Sequence, residues 1–232
     1  MPTTTEIKRT AREAGILYLV MSILAMVGYF YLRGLYFVAG DPAATAQAIQ
    51  AKEQLYRLGI LLDVAAQVLF ILVVLALYRL FEDVDRRQAR LMVALVGTGI
   101  AAAFAGFLLH VAPLVILSGR DYWSSFTRPQ LETLAYAALS LEGKQGDLLT
   151  ALWGLWLFPF AALTIKSGFL PKFLGVLLIL SGAAYVVSCV AAVGFPEQAG
   201  TVKQFALPFY FGEFIVVLWL AIVGAKPRAV NA

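Results

Sequence analysis

The chain has 232 residues, of which 61% are hydrophobic and 14% charged, with a mean hydropathy of +0.83. A soluble domain of this size needs far more polar surface, so the sequence reads as an integral membrane protein. The net charge of +4 does not mark a nucleic-acid binder, because Lys and Arg fall in the short connections between apolar runs.

Six spans are predicted, at about residues 13–38, 56–80, 90–118, 147–166, 171–195 and 203–225, forming one all-α, six-transmembrane-helix bundle over residues 1–232. The first follows Lys8, Arg9 and Arg12 as a signal peptide would. It is too long for a signal segment and reads as a retained span. An even number of spans puts both ends on one side. With the N-terminus cytoplasmic, eleven of the eighteen Lys and Arg residues lie inside, among them Arg86, Arg87, Arg90, Lys166, Lys172, Lys226 and Arg228.

The first outer connection opens with Asp41 in N-cap position and Pro42 at N1, which predicts a helix leading into span two. Gly97, Ala101 and Ala105 recur every four residues in span three, with Gly99, Ala102 and Gly106 nearby, which makes that span the expected packed centre. In the third connection Thr127 and Gln130 fit a capping box, and Leu131, Leu134, Ala135 and Ala138 recur at helical spacing. A second outer amphipathic helix is expected at about 128–145, both outer helices lying over the mouth of the bundle. Between spans four and five, Gly168 suits a helix C-cap and Pro171 the next N1.

The ionisable residues within or beside the apolar runs are Arg33, Arg57, Asp63, His110, Asp147 and Glu213. At about 1.5 Å per residue, Glu213 lies roughly 15 Å from Lys203 and about 20 Å from Lys226, near the middle of a hydrocarbon core about 30 Å thick. A carboxylate at that depth needs a partner, a proton or a wet cavity. On the proposed topology all six belong to the outer half or the midplane. Their convergence would make a polar ligand-binding pocket opening away from the cytoplasm and floored near Glu213. Asp63 and Gln67, Tyr29 and Arg33, and Tyr210 and Glu213 are spaced to share helix faces. Pro113 and Pro208 free backbone carbonyls close to His110 and Glu213.

One histidine excludes bis-His haem and the several-histidine zinc sites of membrane metallohydrolases within one chain. A mixed site of His110, Asp63 and Glu213 stays open, although no metal or cofactor is expected. The single cysteine, Cys189, excludes an internal disulfide. No Walker A, G-x-S-x-G or G-x-G-x-x-G pattern occurs.

Taken in order, Ala11 to Leu19, Gly40-Asp41, Leu55 to Gly59, Leu77-Tyr78, Ser118 to Tyr122, Ser167 to Gly175, Gly212-Glu213 and Leu218 to Leu220 resemble the prokaryotic multi-pass family known as domain of unknown function 4386. The resemblance covers nearly the whole chain. It implies six membrane helices in a bacterial cytoplasmic membrane and transfers no activity.

The leading expectation is a non-enzymatic protein of the lipid bilayer that binds or moves a small polar or amphiphilic ligand. Arg33 and Arg57 would contact anionic groups, and Asp63 and Glu213 would serve as counter-charges or proton-linked groups. One alternative is a membrane-embedded lipid-modifying hydrolase or transferase with Asp63 or Glu213 as base and His110 as acid or metal ligand. Another is a structural or regulatory subunit whose charges pair internally.

Overall fold

The computed structural model describes residues 4–225, so Lys226 and Arg228 of the charge count lie outside the described residues. Helix α1 (Thr4–Ala25) runs on through a π-helical stretch, Met26–Leu32, into a 3-10 turn, Arg33–Leu35. There follow α2 (Pro42–Ala51), α3 (Glu53–Phe81), α4 (Arg86–Ile116), a 3-10 turn at Asp121–Trp123, α5 (Arg128–Leu155), α6 (Leu157–Ser167), α7 (Lys172–Gly194) and α8 (Ala199–Ile222). No strand occurs among the described residues.

Among the described residues, six stretches are long and apolar enough to cross a membrane: Thr5–Leu35, Glu53–Phe81, Arg86–Ile116, Arg128–Ser167, Lys172–Gly194 and Ala199–Ile222. The chain is an all-α, multi-pass membrane protein. In hydrocarbon every backbone N–H and C=O must be bonded within its own segment, so β-branched runs such as Val73-Val74 are helical whatever their intrinsic propensity.

Local signals set the helix ends. The Asp41 carboxylate accepts from the Ala44 N–H at 2.9 Å with Pro42 in the first turn, as the sequence predicts. Gln130 accepts from the Thr127 N–H at 2.8 Å, one arm of the expected capping box. Gly168 closes α6 with φ +71°, and Pro171 stands as the N-cap of α7, one residue earlier than expected. In the α3–α4 connection Lys166 donates to Asp85 at 2.7 Å. That hydrogen bond holds the Asp85 carboxyl below the usual carboxylate range.

Two expectations need correction. The segment 128–145 is not a separate outer helix, because α5 continues through it to Leu155 and enters the fourth span. The interruption comes instead at Trp156. There Pro159 supplies no N–H for the Leu155 carbonyl, while the flanking bonds, Trp156 N–H to Leu152 O at 3.2 Å and Phe160 N–H to Trp156 O at 3.4 Å, persist. The row Gly97, Ala101 and Ala105 does not mark a packed centre, since all three are exposed and a side chain at Gly97 would meet nothing within 4 Å. Small residues permit close approach without compelling it.

The chain divides into two compact units. The first takes in the described parts of Met1–Met21 and Asp147–Ala232 together with Val68–Ala101; the second takes in Ser22–Gln67 and Ala102–Gly146. The first unit is built on aromatic rings. Phe70 meets Trp156 at 5.4 Å between centroids, Trp156 stacks on Phe160 at 5.5 Å, and Phe81 lies between Phe160 at 5.8 Å and Phe169 at 5.7 Å. Glycines let its helix backbones touch: a Cβ on Gly15 of α1 would collide with the backbone of α8 at Leu220 and Ala221, and one on Gly154 of α5 would fall 2.5 Å from the Gly182 carbonyl oxygen of α7. The second unit has a smaller core of Leu32, Tyr36, Ile49, Tyr56, Ile60 and Leu139, and most of the ionisable candidates lie around it.

Candidate functional site

The site in the second unit begins where α1 changes its winding. The π-helical stretch Met26–Leu32 and the following turn carry Tyr29, Arg33 and Tyr36. Such wide turns re-aim side chains relative to a regular helix. Arg33 Nη1 donates to the Glu142 carboxylate in a largely buried ion pair, and Nη2 donates to the Leu139 carbonyl at 3.1 Å. The guanidinium lies 5.4 Å from the ring centroid of Tyr29 and 5.5 Å from that of Phe37, within cation–π range. These bonds use two of the five N–H groups of the guanidinium. Arg33 also lines a cavity of about 300 Å³ with Tyr29, Gly34 and Phe37.

Behind this pair stand Asp63 of α3 and His110 of α4, 6% and 1% exposed. His110 Nδ1 lies 3.7 Å from Asp63 Oδ2 and 4.0 Å from Glu142 Oε1, too far for direct hydrogen bonds. The other ring nitrogen, Nε2, is 3.1 Å from the Tyr36 hydroxyl, and Tyr56 donates to the His110 carbonyl at 2.5 Å. The rings support this arrangement, with Tyr36 and Tyr56 4.6 Å apart and Tyr56 edge-on to His110 at 5.3 Å. Asp63 Oδ2 and His110 Nδ1 are buried without a hydrogen-bond partner among the described residues. If Tyr36 donates to Nε2, a neutral His110 carries its proton on Nδ1, the nitrogen nearer Asp63; if Nε2 donates to Tyr36, Nδ1 is an acceptor.

Asp63 approaches this closely because residue 28 is glycine: a Cβ there would collide with Asp63 Oδ1. Arg33 and Glu142 offset each other, and neutral His110 adds no charge. With Asp63 ionised, the cluster carries one negative charge in excess; with Asp63 protonated, it is neutral.

The family model of the domain of unknown function DUF4386 matches residues 14–224. The chain belongs to the DUF4386 family. An uncharacterized protein of Archaeoglobus fulgidus is 30% identical over 80 residues, which is 34% of this chain. The matched part spans 46%, about half, of that relative's length. No solved structure matches the chain.

All six candidates fall inside the DUF4386 region, and the fold sorts them. Arg33, Asp63 and His110 gather in the second unit. Arg57 belongs to that unit too, but it is half exposed and pairs with Glu53 at 2.7 Å. Asp147 and Glu213 belong to the first unit. Asp147 accepts from Lys203 at 2.6 Å. Glu213 accepts from the Tyr18 hydroxyl, and Tyr185, a further partner of the carboxyl, stacks on Tyr210 at 4.5 Å. The expected helix-face partner Tyr210 instead meets the Ser188 hydroxyl at 2.5 Å. Glu213 thus belongs to a different unit from Asp63 and His110, and its partners there are Tyr18 and Tyr185. Among the described residues no three side chains of His, Cys, Asp and Glu gather as metal ligands. Pro113 stays inside α4, where the carbonyl that takes a side-chain bond is that of His110, not that of Leu109.

Sequence reasoning passed over Glu142, which completes the site. The signal was present: Ala135, Ala138 and Glu142 follow one another at helical spacing, and all three are buried. An acid on the apolar stripe of a helix calls for a partner, here Arg33.

Proposed function

We propose that the chain binds, or carries across a bacterial cytoplasmic membrane, a small polar or amphiphilic ligand that presents a cationic or hydrogen-bond-donating group to Asp63. The observation that carries this reading is the buried pair Asp63 Oδ2 and His110 Nδ1, unpartnered and 3.7 Å apart. Leaving a polar group without a partner costs about 1–3 kcal/mol, more when it is charged, so such groups mark places where a ligand, ion or water completes the bonding. An ionised Asp63 favours a cationic group, and the lone pairs of its carboxyl accept from a neutral donor in either state. The opening beside Arg33 has Tyr29 and Phe37 on its wall, an aromatic surface of the kind that attracts cations. Both termini cytoplasmic is the orientation that the Lys and Arg bias supports.

The test uses purified protein in detergent, with butylammonium, butanol and butyrate as probes read by thermal unfolding. Butylammonium is expected to raise the unfolding temperature of the wild type and of the Gly97→Ala control, and to leave Asp63→Asn unmoved. Equal responses of wild type and Asp63→Asn, or a response to butyrate as large as that to butylammonium, would overturn the reading. No response to any probe favours a structural subunit.

A further inference from the structure

A second cavity of the same unit, about 330 Å³, lies where α3 begins and α4 ends. Its wall includes Gln50, Glu53, Arg57, Pro113, Leu117 and Arg120. Arg57 Nη2 and Nε both reach Glu53 Oε1, at 2.7 and 2.8 Å, which leaves other N–H groups of the fork for a ligand. Arg120, just past the left-handed Gly119, makes no side-chain hydrogen bond or ion pair among the described residues. Two guanidiniums against one carboxylate leave this cavity one positive charge in excess. A third arginine stands near, since Arg128 Nη2 donates to Gln50 Oε1 at 2.6 Å.

The position along the spans narrows the ligand. Arg57 is in the second turn of one membrane-length helix, and Arg120 follows the last turn of another. Helix ends of this kind stand at the level of lipid headgroups. Next to the arginines the same helices carry exposed apolar side chains, Leu58 and Leu61 on α3 and Val111 and Val115 on α4. A free anion has no use for such surface, whereas a phosphate attached to acyl chains does. Guanidinium forks match phosphate oxygens in pairs.

We propose that this groove binds the phosphate of an anionic membrane phospholipid, with Arg57 and Arg120 on its oxygens and the acyl chains along the exposed faces of α3 and α4. The site is separate from the Asp63 cluster and stands whether or not that cluster binds a ligand.

The experiment is native mass spectrometry of the purified full chain with phosphatidylglycerol, phosphatidylcholine and inorganic phosphate in separate arms. Wild type is expected to retain phosphatidylglycerol about tenfold better than phosphatidylcholine and to show no retention of inorganic phosphate, and Arg57→Gln with Arg120→Gln to bring the lipid ratio within about twofold. An unchanged ratio in the double variant overturns the proposal. Retention of inorganic phosphate equal to that of phosphatidylglycerol also overturns it, in favour of a free-anion site. Should the glutamine pair fail to fold, Arg57→Lys with Arg120→Lys keeps the charge and removes the fork; an unchanged ratio there overturns the proposal, and a reduced one upholds it.

Discussion

At the scale of single residues, the candidate site depends on side chains that are costly to bury alone and acceptable together. Arg33 and Glu142 each satisfy the other, and removing one leaves a buried charge, a loss typically of about 3–5 kcal/mol. Gly28 has a less obvious part. A methyl group there would occupy the place of Asp63 Oδ1, while a methyl group on Gly34 would meet nothing within 4 Å. Gly28→Ala is expected to destabilise the protein by about 1–3 kcal/mol and Gly34→Ala by less than about 0.5 kcal/mol, as read by denaturant unfolding in detergent. Equal effects of the two would show that Asp63 has room to move.

At the scale of elements, the ends and breaks of helices decide where the polar groups stand. The π-helical stretch after Ala25 places Tyr29 and Arg33 together on the cavity, and no residue pattern announces that change of winding. Pro159 divides what composition reads as one span, because the missing N–H interrupts the bonding at Trp156 while apolar side chains continue on both sides. The cap of α2 was legible residue by residue. Asp41→Ala is expected to cost about 1 kcal/mol of stability and Asp41→Asn clearly less, since the amide oxygen still accepts from Ala44. Thermal unfolding of the two variants checks this, and an equal loss would mean that the charge of Asp41, not its hydrogen bond, holds the turn.

At the scale of the whole molecule, orientation in the membrane is the property from which the outward-facing reading follows. In a Cys189→Ser background on intact bacterial cells, Ser124→Cys is expected to react with a membrane-impermeant maleimide, and Asp83→Cys only after permeabilisation. The reverse pattern would place the α3–α4 connection outside and turn the Asp63 cluster toward the cytoplasm. The family relationship extends over residues 14–224, so it bears on the fold of nearly the whole chain and leaves the chemistry to its side chains.

Composition and the length of the apolar runs determined that this chain is helical and crosses a membrane, because a bilayer interior admits only helices and closed barrels, and unbroken apolar runs of about 20 residues fit helices. Caps and turn residues determined several helix ends, since each acts through bonds a few residues apart. Which acids and bases meet was decided by tertiary structure. Asp63 faces His110, and Glu142 pairs with Arg33 across 109 residues of chain, whereas Glu213, the most conspicuous charge in the sequence, is held by Tyr18 and Tyr185 in the other unit. Depth in a span follows from counting residues; the direction a side chain takes around its helix depends on the neighbours that helix packs against.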